Sequence, residues 1–473
     1  MNILFLVNNA PQYINFFKSL GDNFKLNNHN VIYACESHLP EVKYDTSLKD
    51  QKTFYFTDHL NLLSDSKLQE YQNRENLRKF YYSCYDRNFH FGFDNVHDKK
   101  SDEIILRLLD FYEKIILQED IDIVVYENVS NSFAYAAYVV AKQFERKYYG
   151  LITSRVPNHF EIWEDEFGNL ENRMNSFNKL SKQQIEDHIL EHVTEYLNNF
   201  KDSSVKPDYM KKNHTSMDIN YLKYYINKSG VMLDYFKYYT THAKKDNNAY
   251  QSSHMLIKSF KQLTRNLKRK IKISALKNKY DYNASEKDNF FIYPMHFQPE
   301  SSTSVNAIFY DNQYEAIKNI SFSLPIGTYL YVKDHPNGIG FLQMNFYKKI
   351  KKLPNVKYIN PQEDTKKLII HSKGVITLTS TMGYEALLLE KPVITLGKVF
   401  YNYHPYCYNI SSYNDIFSTV QKVLFTKHSQ FSEYNTKFLC VYFRDIYIGK
   451  IFNTDSDFNQ IYKSIMNRII NKN

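Results

Sequence analysis

The sequence predicts two α/β units, each a mostly parallel sheet covered by helices, with a strand-free helical stretch between them. Three observations carry this. Near-continuous apolar runs at 2–7 and 121–126 suit strands buried on both faces, as parallel strands are. Strand and helix signals alternate in both halves, the βαβ rhythm of a doubly wound sheet. From about 172 to 280 the pattern is polar and helical. A chain of 473 residues is too long for one core, and its 43% apolar residues, with 42 Tyr and 34 Phe, can fill more than one.

The first half opens with the strand 2–7 and a helix over 13–26, where Ile14, Phe17, Leu20 and Phe24 recur near helical spacing. Strands are expected at 31–35 and 53–56, helices around 67–82 and 102–118, then the strand 121–126, which runs into Glu127-Asn128. A helix of small residues at 132–144 leads to a strand at 148–153. The polar stretch from Ser154 to Gly168, with the single tryptophan Trp163, reads as a loop. The second half repeats the rhythm with a strand at 289–293, a helix at 312–323, strands at 328–332 and 356–359, and a helix at 363–371. The stretch Gly374 to Gly397 then supplies a strand, the hydroxyl-rich turn Thr379-Ser380-Thr381, a short helix and another strand. Helices at 413–425 and 434–470 close the chain, the last crossing back to the first half. The expected units are 1–170, a helical insertion or linker at 171–284, 285–430, and closing helices at 431–473.

The four cysteines are scattered and form no CxxC, which points to a reducing compartment and away from a structural zinc site. The N-terminal apolar run lacks a basic flank and is too short for a signal peptide, and no apolar run reaches the ~20 residues of a membrane span. A cytoplasmic protein is expected. The net charge of +9 is local: residues 251–280 hold nine Lys/Arg and no acid, and the rest of the chain balances. In that segment Leu256, Phe260, Leu263, Leu267 and Ile271 share one helical stripe. Such a helix can lie peripherally on an anionic inner-membrane surface, or pack on its own domain with a solvated lysine face.

Ligands of open α/β sheets sit beyond the carboxyl ends of strands. In the second half that rule selects Met295-His-Phe-Gln-Pro-Glu300, Lys333-Asp-His-Pro336 and Thr379-Ser-Thr381. Hydroxyls and free N–H groups at a helix start hold an anion, phosphate above all. Lys333 and His335 add cation-capable groups, and Glu385, one helical turn on, can reach a sugar hydroxyl beside that phosphate. With Thr381 as N-cap, Glu385 stands at N4, one place beyond the capping-box position. The segment Asp120-Ile-Asp122 precedes its strand, at the wrong end for a metal-dependent transferase, and no HExxH, P-loop or GxGxxG occurs.

The runs Lys333-Asp-His-Pro336, Thr379-Ser-Thr-Met-Gly-Tyr-Glu-Ala386 and Lys391-Pro-Val-Ile-Thr-Leu-Gly397 resemble the capsule polysaccharide biosynthesis family, which includes β-Kdo transferases of capsule lipid anchors. The segment from Met295 to Glu300 is similar to motifs in the same kind of transferase. The resemblance implies a GT-B fold, two Rossmann-like domains facing a cleft, and a glycosyltransferase moving a sugar, Kdo from CMP-Kdo among the candidates. The acceptor would be a glycan or lipid-linked. It implies a nucleotide sugar, CMP-linked, as donor, with no cofactor, no metal and no nucleic-acid partner. His335 and Pro336 would hold the donor phosphate with Lys333, Thr379, Ser380 and Thr381, and Glu385 the ribose. His296, Gln298 and Glu300 would line the cleft.

The catalytic carboxylate is expected from the first half. Glu127 ends its strongest strand, Glu161 and Asp165 compete with it, and Arg155 could hold an anionic sugar. A CDP-glycerol glycerophosphotransferase is an alternative that wants an Asp before the serine pair, where Leu378-Thr379 stand. A non-catalytic capsule assembly or export factor is another.

Overall fold

The computed structural model describes residues 1–8, 11–38, 48, 50–72, 98–181, 185–201, 240, 255–281, 285, 287–298, 300–453 and 455–470. Its strands are β1 Asn2–Val7, β2 Asn30–Cys35, β3 Thr53–Tyr55, β4 Ile123–Glu127, β5 Lys147–Thr153, β6 His159–Trp163, β7 Phe290–Pro294, β8 Tyr329–Lys333, β9 Val356–Ile359, β10 Val375–Thr377, β11 Val393–Thr395, β12 Cys407–Asn409 and β13 Ile446–Ile448. They form two sheets, in the orders β13-β6-β5-β4-β1-β2-β3 and β12-β11-β10-β7-β8-β9.

Both sheets are wound alike. The first three strands step outward one way, and the next three start again beside the first. In the first sheet β1 to β5 are parallel, β6 runs antiparallel to them at one edge, and β13 pairs antiparallel with β6. The second sheet is parallel throughout. Strand order reverses between β1 and β4 in one unit and between β7 and β10 in the other, which opens a crevice at each carboxyl edge. The apolar runs that read as two-sided strands are so: Ile3 to Val7 and Phe291 to Tyr293 are fully buried.

Two differences from the expected elements matter. Ser154 to Gly168 is not all loop, because β6 lies within it and pairs with both β5 and β13. The closing segment is not wholly helical either. After the helix Phe431–Arg444 it enters β13 of the first sheet, and the helix Phe458–Ile470 then packs on the helix Pro11–Leu26. Ile461 and Ile465 are fully buried there, and the Tyr462 hydroxyl meets His29 Nε2 at 3.1 Å. Of the helix expected at 67–82, Asp65–Gln72 is observed and the rest lies outside the described residues, as does most of 202–254. Among the described residues no helix is long and apolar enough to cross a membrane.

Candidate functional site

The second unit's crevice is built by three strand ends. From β7 comes His296, buried, its main chain held on both sides by Gln313: the His296 N–H donates to Gln313 Oε1 at 2.6 Å, and Gln313 Nε2 donates to the His296 carbonyl at 3.0 Å. From β10 comes Thr377, whose hydroxyl lies 3.2 Å from His296 Nε2 and accepts the Ser380 N–H at 3.1 Å. The Thr379 N–H also points at His296 Nε2, at 3.4 Å. These contacts make Nε2 an acceptor, so the ring carries its proton on Nδ1. Burial, and secondarily His335, press its pKa down to about 3, which keeps it neutral.

Ser380 caps the helix Thr381–Leu388, its Oγ accepting the Met382 N–H at 3.2 Å. The N-cap is thus Ser380, not Thr381. Glu385 moves from N4 to N5 and still stands clear of the capping-box place. The Thr379 hydroxyl donates to the Ser302 carbonyl at 2.6 Å, tying the turn to the β7 loop. Gly397 lets these loops close, since a Cβ there would meet Thr379 Cγ2 at 2.6 Å and the Asn306 carbonyl at 2.8 Å.

From β8 come Lys333, Asp334 and His335. Lys333 is buried, donates to the Pro361 carbonyl at 2.5 Å, and is lowered to about 8 by desolvation, which Glu363, Asp334 and Glu385 partly offset. Asp334 is buried beneath it and accepts from the Tyr358 hydroxyl at 2.8 Å and the Tyr347 hydroxyl at 3.3 Å. His335 stacks on Phe297 at 5.9 Å and accepts the Asn337 N–H on Nδ1 at 3.1 Å, so its proton sits on Nε2. Burial, then Lys333, lower it to about 4. His335 is therefore neutral at neutral pH and offers an Nε2–H donor rather than a cation. Pro336 is exposed. Glu385 is raised to about 7 by desolvation, against the pull of Lys366, Arg155 and Lys333, and its carboxylate makes no hydrogen bond among the described residues.

The first unit reaches this crevice through the stretch after β5. The Arg155 guanidinium lies 5.5 Å over the Phe400 ring, and Asn306 Nδ2 donates to the Glu166 carbonyl at 3.0 Å. Gly168, with φ +78°, lets Phe400 approach to where a Cβ would meet it at 3.0 Å. Glu127 ends β4 at the first unit's own crevice and accepts from the Ser130 hydroxyl at 2.7 Å.

Other expected site residues lie elsewhere. Glu161 is buried with its oxygens engaged by Trp163 Nε1 at 2.9 Å, Arg173 Nη2 at 2.8 Å and the Tyr442 hydroxyl at 2.6 Å. That network leaves no room for an acceptor, and through Tyr442, which accepts the Arg155 N–H at 3.1 Å, it props up Arg155. Asp165 spends Oδ1 on the Phe167 and Asn169 N–H groups, a loop clasp. Gln298 links Gln313 to the Asp311 carbonyl, and Glu300 caps the short helix Ser301–Ser304 from an exposed position. A second His-Pro pair, His404-Pro405, is structural: His404 is buried and bonded to Asn435. Thr377, Gln313 and Lys366 are site residues the sequence does not single out. A hydroxyl in the last position of a parallel strand is the only signal for Thr377. A cavity of about 240 Å³ lined by Tyr280, Tyr331, Glu363, Lys367 and His371 lies in the same unit.

Residues 186–414 match the family described as capsule polysaccharide biosynthesis protein. That stretch contains all three strand ends of the crevice, and it begins about a hundred residues before the motifs that carry the resemblance. A 49-residue segment is 51% identical to Protein FixF of Sinorhizobium fredii, 10% of this chain and 12% of that protein's length. Among solved structures, the β-Kdo 2,4 transferase KpsC of Thermosulfurimonas dismutans is 12% identical over 75% of this chain and 93% of its own, with a TM-score of 0.39. The UDP-GlcNAc 2-epimerase of Neisseria meningitidis, bound to UDP-GlcNAc, is 13% identical over 100% of both chains, with a TM-score of 0.31. The chain has two Rossmann-like units, the GT-B architecture.

Proposed function

We propose that the protein is a glycosyltransferase of capsular or other surface-polysaccharide synthesis that binds a nucleotide sugar at the second unit's crevice. The observation that carries this is the convergence of His296, His335, Lys333 and the Ser380-capped helix start at a switch point between β7 and β10, within the stretch matched by the capsule family. The Thr381 end of the helix and the His335 Nε2–H supply donors, and Lys333 supplies charge, to the phosphate that leaves with the nucleotide. Glu385 accepts from the ribose diol. In the step itself the bond from the anomeric carbon to the phosphate oxygen breaks and the acceptor hydroxyl oxygen bonds to that carbon. Its proton passes to a carboxylate, for which we propose Glu127 at the end of β4. Fixed donors aimed at the departing charge supply the largest share of the rate acceleration in such catalysis. A CMP-linked donor such as CMP-Kdo is the proposed substrate, on the strength of the family resemblance, and the acceptor is a glycan or a lipid-linked glycan.

Incubation of the purified protein with CMP- and UDP-linked sugars tests this. Hydrolysis or transfer from at least one donor is expected, falling by roughly 100-fold or more in His335→Ala, the scale of one lost transition-state donor. Turnover that survives both His335→Ala and Ser380→Ala would sink the site assignment.

A further inference from the structure

We propose that the outward face of the helix Met255–Leu276 docks the protein on an anionic lipid bilayer. The helix is clamped to the second unit along one side. Arg269 is buried, donating from Nε to the Ile339 carbonyl at 2.7 Å and from Nη2 to the Asn337 carbonyl at 2.9 Å, with its guanidinium 4.1 Å over the Phe341 ring. Lys272 donates to the Leu342 carbonyl at 3.0 Å. Gly340, with φ +76°, allows the approach, since a Cβ there would meet the Arg269 carbonyl at 3.1 Å. Three basic-segment residues are thereby taken up by the loop that follows His335, because Arg265 also lies over Phe341, at 5.3 Å.

The opposite side presents an apolar stripe. Leu263, Leu267 and Ile271 follow one another at intervals of four, one stripe of a 3.6-residue helix, and are 36%, 54% and 71% exposed. Lys268 and Lys270 flank the stripe and are exposed. A row of exposed large aliphatics with basic neighbours is the signature of a helix lying in a membrane interface, apolar face inward and lysines at the headgroups. Charge selects the occupant. Residues 251–280 contain no acid, so a second copy laid against the same face would meet its own positive charge, whereas anionic headgroups complement it. Because the clamp is the loop carrying His335, the docked helix would hold the donor crevice at a set distance from the bilayer.

Co-sedimentation of the full chain with vesicles tests this. Binding is expected to phosphatidylcholine vesicles containing phosphatidylglycerol, to weaken with added salt, and to be absent with phosphatidylcholine alone. K268Q/K270Q should weaken it about fivefold per lysine, and L267S/I271S should abolish it. Since all four side chains are exposed, the variants should keep the wild-type melting temperature, and His335→Ala should bind vesicles like wild type. Either double variant binding as wild type would overturn the proposal. So would a wild-type protein that ignores anionic vesicles, or a lipid-free dimer that L267S/I271S dissolves, which would make a second copy the occupant.

Discussion

At His335 and His296 the chemistry is set by which nitrogen is already spoken for. His296 accepts on Nε2 and His335 on Nδ1, so each is neutral with its proton on the other nitrogen. The titrating groups of the crevice are instead Glu385, raised by desolvation to about 7, and Lys333, lowered by desolvation to about 8. Under the proposed function an ionised Glu385 would accept from the ribose diol and a protonated Lys333 would attract the phosphate. The affinity for a nucleotide should therefore rise as pH climbs through 7 and fall as it passes 8, in a narrow bell measured by calorimetric titration. Glu385→Gln should remove the acid limb and weaken binding on the order of tenfold, and an unchanged bell would remove Glu385 from the ribose contact. Lys333, His335, Ser380 and Glu385 are legible in the sequence because each follows a strand that periodicity finds. The commitment of Glu161 is not, since its partners Arg173 and Tyr442 are 12 and 281 residues away.

At the scale of the element, the helix Thr381–Leu388 has two jobs that share one residue. Ser380 caps it, and under the proposed function the same helix start would receive the anion. These jobs separate in Ser380→Asp, which keeps a capping oxygen but places a negative charge at the phosphate. Stability to urea should stay within about 0.5 kcal/mol of wild type, as cap residues of similar rank allow, while nucleotide affinity drops at least tenfold. Equal affinity would mean the anion sits elsewhere. The strand β10 feeding this helix is three residues long in the structure against five expected at 374–378, but its position is found correctly. The strands β6 and β13 are not anticipated. β6 carries His159 and a Glu161 neutralised only by distant partners, and β13 is three residues inside a helical pattern, a strand only because β6 lies beside it.

Over the whole molecule, the two units are alike in winding and interlocked in sequence. The chain leaves the first sheet after β6, lays the helices Leu170–Lys179 and Asp187–Lys201 against the helix Phe431–Arg444, builds the second sheet, and returns through β13. Buried charges fasten the return. Arg173 and Arg468 both meet Asp445, and although burial alone would raise that carboxyl, the two arginines hold it below the usual range. Doubly wound units were legible from apolar runs and alternation. The return of the closing helix to the first half is expected from the sequence and observed where Phe458–Ile470 packs on Pro11–Leu26; the strand β13 on the way is not, because nothing local in 446–448 sets it apart from the helical pattern around it. Likewise the basic segment shows its charge in sequence, whereas the division into clamped Arg269 and Lys272 and outward Lys268 and Lys270 depends on where Gly340 lets the loop approach. The placement of the donor nucleotide is tested most directly by a crystal structure with CMP soaked in. The phosphate is expected within hydrogen-bond distance, about 3 Å, of both His335 Nε2 and the Ser380–Thr381 helix start, with the ribose hydroxyls on Glu385. A nucleotide lodged in the cavity of Tyr280, Tyr331 and His371, with the helix start empty, would contradict it.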